Sequence, residues 1–359
     1  MKSPAITVIV PAYQAERTVE RAITSVQDQD YTAWECIVVD DGSSDGTFDI
    51  LNDLAASDSR ITVLRQKNAG RCIARNAGIA AAHGEWVLFL DSDDYLRPGA
   101  LSCLISQAYP EVIGVWGECD LPTGRKLSLG AEKRYSADQL TEFILNQEKY
   151  RTRAEFGEAS GTVLRSVWGK LYRSSRIKDR DIAFAPGLRF GEDVLFNLSY
   201  LACGGEVAML HKAVYFYDTV ESSTCRSYSR QDGKCLMAFV EELCSLKKDG
   251  LLTSALDDGA CVSKIIGAEA ASVLRNAAMS NLTACEAARS LQEAFSDPRI
   301  IGSIRENVAT SIAGKLLRLL RIHMVEHGKV REYLMVEKAV LTLKRKMLSV
   351  AGRLIAKPM

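Results

Sequence analysis

The sequence predicts an α/β fold, a mostly parallel sheet covered by helices and followed by a C-terminal helical region. Three observations predict it. Short runs such as "ITVIV" (6–10) and "ECIVVD" (35–40) are apolar on both faces, as strands buried from both sides must be. The segments between them carry apolar residues at helical spacing. From about residue 228 the helical pattern continues almost unbroken to residue 359.

The elements follow in order. After the first strand, residues 15–29 place Val19, Ala22, Ile23 and Val26 on one face. The second strand ends in Asp40 and Asp41 and runs into the turn "DGSSDGT", with a helix near 47–56. "ITVLRQ" (61–66) reads as a third strand. A helix over 71–82 aligns Ile73, Ala77 and Ala80, and "EWVLFL" (85–90) is a fourth strand. Residues 111–220 are less regular, with strands expected around 112–119 and 206–217 and a helix from about 192 to 203. Turns near Asp249–Gly250, Asn281, Ser296–Pro298 and His327–Gly328 divide the helical region. This gives two domains, 1–227 and 228–359.

Composition narrows the function. Hydrophobic residues make up 47% and charged residues 25%, as in a globular protein. Lys+Arg and Asp+Glu balance at 45 each, so no global basic field marks a nucleic-acid partner. The balance is uneven along the chain. Residues 315–359 hold 11 Lys/Arg against 3 Asp/Glu, so the first 314 carry a net −8. The ten cysteines form no C-x-x-C pair and read as reduced, buried thiols. The first apolar run has five residues before Pro11, shorter than a secretory core, and no window approaches the ~20 apolar residues of a membrane span. A cytoplasmic protein is expected.

In parallel sheets ligands bind beyond the carboxyl ends of the strands. Here those ends are acidic. The fourth strand runs straight into Asp91, Ser92, Asp93 and Asp94. One aspartate suffices to cap the following turn, whereas three close carboxylates need a positive charge in the working state. A Mg²⁺ or Mn²⁺ ion held by one or two carboxylates and by substrate phosphates would supply it. Asp40 and Asp41 end the second strand, where a turn alone could explain them. "GEDVLF" sets Glu192 and Asp193 at a helix start, where they complement the helix dipole or supply a general base.

The chain resembles the family-2 glycosyltransferases, the inverting, nucleotide-sugar-dependent type with the GT-A fold. The resemblance rests on "ITVIVPAYQAERTVERAITSVQDQ", "VVDDGSSDGT", "NAGRCIARNAGIAAAHGEWVLFLDSDD", "VWGKLYRSS" and "GEDVLF", in that order over about residues 4–225. It implies that Pro11 and Tyr13 line the nucleoside pocket, that Asp40 accepts from the base, and that Arg71 lies beside the nucleotide. It further implies that Asp91 contacts the ribose side, Asp93 holds the divalent metal, and Asp193 deprotonates the acceptor hydroxyl. The partners implied are a nucleotide-sugar donor, UDP-linked by default, and a saccharide or lipid-linked acceptor in cell-surface polysaccharide synthesis. The Q-x-x-R-W stretch of processive synthases is absent, so transfer of a single sugar is expected. Gln14 stands where the family often has Asn, and is read as neutral.

Alternatives stay open at this point. A sugar nucleotidyltransferase shares the broad fold but usually has a Gly-rich loop where this chain reads "PAYQAERT". An inactive sugar-binding scaffold would not need Asp91, Asp93 and Asp193. Trp168 is read as core or as a stacking platform for an acceptor sugar. "YDTVESSTCRS" (217–227) is a linker or a loop closing over phosphates. "HMVEH" (323–327) matches a zinc-protease pattern without a third ligand and is read as surface histidines. The basic amphipathic tail, with Lys344, Arg345, Lys346, Arg353 and Lys357, either packs on the protein or a second subunit of a homo-oligomer, or lies on the inner face of a membrane.

Overall fold

The computed structural model describes residues 5–128, 133–145, 160–218, 228–248, 259–306, 324–325 and 327–338. The chain forms two compact units. One comprises Met1–Glu221 with Ser245–Asp257, the other Ser222–Cys244 with Asp258–Met359.

The first unit is built on a mixed, mostly parallel sheet. Strand β1 (Ile6–Ala12) lies between β2 (Trp34–Asp40) and β4 (Trp86–Phe89), and β3 (Ile61–Arg65) pairs with the far side of β2, all parallel. These strands are nearly continuous apolar runs because helices cover both faces. Helices α1 (Val19–Gln27), α2 (Thr47–Ser57) and α3 (Arg71–Ala81) make the crossovers. Helix α1 buries Val19, Ala22, Ile23 and Val26, the stripe expected from the sequence. Helix α3 does not bury the expected Ile73, Ala77 and Ala80. Its inner face is Cys72, Ala74, Arg75 and Gly78. Gly78 allows this: a Cβ there would come within 2.4 Å of Ile9 Cγ2, so α3 sits tightly on β1.

Beyond β4 come β5 (Tyr95–Leu96), α4 (Ala100–Ser106), β6 (Val112–Asp120), β7 (Lys126–Leu127), β8 (Lys133–Ser136), α5 (Ala137–Leu145), α6 (Ser160–Arg165), β9 (Lys170–Arg173), α7 (Ser174–Asp179), α8 (Glu192–Leu201) and β10 (Glu206–Phe216). The sheet order is β3-β2-β1-β4-β9-β6-β10-β5. The sequence pattern did not show β9. It has four residues, two of them basic, yet it enters antiparallel between β4 and β6.

An aromatic cluster fixes α8 against the centre of the sheet. Phe89 of β4, Tyr172 of β9 and Phe196 of α8 meet edge-on or tilted, at 5.4 to 5.8 Å between ring centres, and Phe184 stacks on Phe196 at 4.3 Å. Each such pair adds about 0.5–1.5 kcal/mol beyond its buried area. The cluster holds the start of α8 beside the carboxyl end of β4.

The second unit is helical, with most of α9 (Asp232–Lys248), α10 (Gly259–Met279), α11 (Ala284–Leu291) and α12 (Pro298–Glu306). Thr283 starts α11 with a reciprocal cap, its hydroxyl accepting from the Glu286 N–H while Glu286 accepts from the Thr283 N–H. No helix among the described residues is long and apolar enough to cross a membrane. Residues 219–227 and 339–359, and positions 323 and 326 of the 323–327 stretch, lie outside the described residues.

Candidate active site

The three aspartates after β4 do different work. Asp94 is buried and points inward. Its Oδ2 accepts from the Tyr215 hydroxyl at 2.7 Å, and its Oδ1 from the Asp218 N–H at 2.8 Å. The same Tyr215 oxygen accepts the Asp91 N–H at 3.2 Å. Burial, with Asp91 and Asp93 beside it, pushes the Asp94 carboxyl well up from its usual value. Asp94 therefore ties the turn to β10. Asp91 accepts from Arg75 Nη2 at 2.7 Å. Asp93 is held by its backbone: Arg21 Nη2 donates to its carbonyl at 2.6 Å and pairs with Asp218 at 2.8 Å through Nη1. Among the described residues no lysine or arginine forms an ion pair with the Asp93 carboxylate, and burial, then Asp91, pushes it up to about 6.

Facing these aspartates is the start of α8. Gly191, at φ 76°, turns the chain so that Glu192 and Asp193 open the helix. Arg75 of α3 lies between the two sets, only 1% exposed. Its Nη1 donates to Asp193 Oδ1 at 2.8 Å and stands 3.7 Å from Glu192, while its Nη2 holds Asp91. Three carboxylates around one buried guanidinium keep it charged, offsetting the desolvation that would otherwise lower its pKa. Arg71, one turn earlier, pairs with Glu192 at 2.7 Å and donates to the Arg189 carbonyl at 2.5 Å. Burial raises the Glu192 carboxyl, and Arg71 pulls it back.

The second oxygen of Asp193 accepts from the Val167 N–H at 3.2 Å. That amide is set by a buried scaffold. Asn197 donates to the carbonyls of Leu164, Arg165 and Ser166 at 3.2, 3.1 and 2.9 Å. Lys170 Nζ also reaches the Leu164 and Ser166 carbonyls, and lies 4.0 Å from the Trp116 ring centre. Lys170 is fully buried, and burial pushes its ammonium well below its usual pKa.

At the end of β2 two aspartates again divide. Asp41 accepts from Gln66 Nε2 at 2.8 Å and from the Ala69 and Gly70 N–H groups at 2.9 and 2.8 Å. It thus fixes the two residues that lead into α3. Asp40, 0% exposed, lies in register with Ala12 of β1 and Arg65 of β3. Its Oδ1 accepts from the Ser43 N–H at 3.1 Å, and its Oδ2 has no hydrogen-bond partner. Tyr13, just past β1, is 53% exposed, while Pro11 on the strand is half-buried. Gln14 adopts a left-handed φ of 51°, and its side-chain oxygen accepts from the Ser44 N–H at 2.8 Å, holding the 43–45 turn.

The Glycosyl transferase family 2 profile matches residues 7–178. An uncharacterized glycosyltransferase of Haemophilus influenzae is 32% identical over 189 residues, 51% of this chain and 71% of that protein. The chain belongs to glycosyl transferase family 2. The succinoglycan biosynthesis protein ExoO of Rhizobium meliloti is 33% identical over 234 residues, 63% of this chain. The match spans 64% of ExoO, so this chain covers less than two thirds of that relative. In structure it is similar to residues 1–349 of S. aureus TarS, solved with UDP-GlcNAc, at a TM-score of 0.63 and 22% identity over 94% of this chain and 91% of that one. The likeness shows a GT-A-like fold.

Within this family-2 chain the structure gathers Asp91, Asp93 and Asp193 with Arg71, and places Pro11, Tyr13 and Asp40 at the neighbouring strand ends β1 and β2. Trp168 is 4% exposed, stacked between Tyr215 at 4.8 Å and Tyr217 at 5.8 Å, and so belongs to the core. Sequence reasoning missed Arg75, Glu192 as an arginine partner, and Lys170. The spacing of Arg71 and Arg75, four residues apart after Gly70, was the available signal.

The residues fit a divalent cation. Among the described residues, no lysine or arginine stands within ion-pair distance of the Asp93 carboxylate, although Arg71 acts on it from farther off. Among the described residues no group of three or more His, Cys, Asp or Glu side chains could hold a metal ion. A single carboxylate of this kind would suit a hard divalent cation that takes its other ligands from phosphates and water.

Proposed function

We propose that the chain is a metal-dependent, inverting glycosyltransferase that moves one sugar from a nucleoside-diphosphate sugar, UDP-linked by default, to a saccharide or lipid-linked saccharide acceptor. The observation that carries this reading is Arg75. One buried guanidinium holds Asp91, on the donor side, and Asp193, at the start of α8, in a single crevice. Pro11, Tyr13 and Asp40 receive the nucleoside, Arg71 lies beside the nucleotide, and Asp91 faces its ribose. Asp93 would hold Mg²⁺ or Mn²⁺, which would supply Lewis-acid neutralisation of the charge on the leaving diphosphate.

Asp193 takes the proton of the acceptor hydroxyl. Arg75 and the Val167 N–H occupy one lone pair on each of its oxygens and fix the plane of the carboxylate. A remaining lone pair can accept from the hydroxyl. Attack from the face opposite the leaving group inverts the anomeric carbon. The relative ExoO, named for succinoglycan biosynthesis, supports a place in surface polysaccharide synthesis. An acceptor at the inner face of a membrane suits the basic tail.

The test is a donor screen with purified protein, Mn²⁺ and a saccharide acceptor, reading released nucleoside diphosphate and the anomeric configuration of the product by NMR. An α-linked donor should give a β-linked product. Retention of configuration, or nucleotide exchange with pyrophosphate in place of transfer, would overturn the reading.

A further inference from the structure

We propose that Lys170 is a positioning residue for sugar transfer: with Asn197 it pins the Ser166–Val167 peptide, and that peptide aims Asp193. The proposal rests on the reading of Asp193 as the group that takes the acceptor proton.

Helix α6 ends at Arg165, and an α-helix leaves its last carbonyls without N–H partners. Leu164 and Ser166 are buried, so side chains supply the donors. Asn197 Nδ2 donates to the carbonyls of Leu164, Arg165 and Ser166, the last at 2.9 Å. The Tyr172 hydroxyl donates to Asn197 Oδ1 at 2.7 Å, which settles the end of the amide that faces those carbonyls. Lys170 Nζ donates to two of the same three, Leu164 and Ser166. Burial favours the neutral amine, and an amine still has two N–H groups, one for each carbonyl. Without Lys170, the two N–H groups of Asn197 must serve three carbonyls alone.

The Ser166 carbonyl and the Val167 N–H belong to one planar trans peptide unit, so they point in opposite directions and turn together. Pinning the carbonyl therefore sets the direction of the N–H. Asp193 Oδ2 accepts from that N–H at 3.2 Å. Asp193 and Asn197 stand four residues apart on α8 and share a face. One turn of helix thus grips both ends of a single peptide, while Lys170 holds the carbonyl from β9. A hydrogen bond accepted at the carbonyl also strengthens the N–H as a donor. Removing Lys170 lets the peptide tilt, and the plane of the Asp193 carboxylate is then set by Arg75 alone.

Two variants test this. Lys170→Met keeps the length of the side chain and removes its donors, whereas Lys170→Gln is one atom shorter and keeps two N–H groups. Transfer is measured with radiolabelled donor from the screen above. It is counted per binding site titrated by calorimetry with the nucleoside diphosphate that the screen releases, UDP by default, so unfolded protein does not contribute. Lys170→Met should lower kcat by on the order of 10- to 100-fold, the cost of displacing a reacting group by up to about 1 Å, with nucleotide affinity within about twofold of wild type. Lys170→Gln should lose less. In an Asp193→Asn background, where the Val167 contact is already gone, either Lys170 variant should change the residual transfer by less than about threefold, because the two positions act as one unit. If Lys170→Met binds no nucleotide, Lys170→Gln decides by the same comparison of backgrounds. Wild-type kcat in both Lys170 variants, or an equal loss with and without Asp193, would overturn the positioning role and leave the glycosyltransferase reading in place. If the wild type transfers no sugar from any donor, the reading of Asp193 falls, and this proposal with it.

Discussion

Arg75 Nη1 donates to Asp193 Oδ1 at 2.8 Å, so the group proposed to take the acceptor proton is held by a helix that also touches the donor-side turn. Lysine at position 75 keeps the charge but loses the planar fork that reaches Asp91 and Asp193 together. Arg75→Lys should lower kcat by on the order of 10²-fold, the cost of misplacing a reacting group by about 1 Å, with a smaller change in donor KM. Arg75→Met should also destabilise the fold by about 3 kcal/mol, because it removes a cation from the buried Glu192 and the half-buried Asp91 and Asp193. Steady-state kinetics and denaturant melts separate the two effects. Wild-type kinetics in Arg75→Lys would show the bridge to be purely structural.

Asp193→Asn should reduce transfer by on the order of 10²–10⁴-fold, the range for a positioned base. The amide oxygen can keep the Arg75 contact at the cost of the Val167 N–H contact, and neither residue is proposed to meet the donor through Asp193, so donor binding by calorimetry should move far less than transfer. Loss of donor binding with normal residual turnover would instead identify Asp193 as a helix cap.

Asp93→Ala should abolish donor turnover in Mn²⁺ and leave the melting temperature close to wild type, since the Arg21 contact is to the Asp93 carbonyl. Chelator should bring the wild type to the level of the variant. Full wild-type activity in chelator would sink the assignment of Asp93 to a metal.

Asp58, at the end of α2, offers a test of stability against pH. The Arg60 side chain donates to it at 3.0 and 2.7 Å and holds it at about 2, below the usual carboxylate value. A carboxylate lowered on folding contributes stability in full above its unfolded value of about 3.9, and loses it as pH falls through the folded value. Asp58→Asn should therefore cost stability equally between pH 5 and 8 and converge with wild type near pH 2. The difference should stay below about 1 kcal/mol because solvent reaches the pair. Melts across that pH range check it, and a gap that widens in acid would contradict the sign.

Much of the parallel core was legible in the sequence because buried strands and amphipathic crossovers leave strong periodic signals. β1, β2, β3 and β4 fall within a residue or two of their expected ends. The acidic strand ends were legible for the same reason, since charge is conspicuous beside apolar runs. Strand β9 was not, because its place depends on Lys170 being buried by carbonyls that other elements supply. Arg75 was hidden more deeply. Periodicity counts apolar residues, whereas α3 turns inward a face that carries a cation, and only the folded arrangement brings Asp91, Glu192 and Asp193 around it.

Asp41 has a consequence for anyone scoring variants of this protein by lost activity. It touches the Ala69 and Gly70 amides, which set the first turn of α3, and through α3 it fixes where both arginines stand. A change at Asp41 would silence the crevice from behind, without removing any group proposed to meet sugar, nucleotide or metal. In a loss-of-function screen it would rank beside its neighbour Asp40, and the two would be indistinguishable by phenotype. Calorimetry paired with thermal melts would part them: on the proposed reading a lesion at Asp40 is one of recognition, and a lesion at Asp41 is one of foundation.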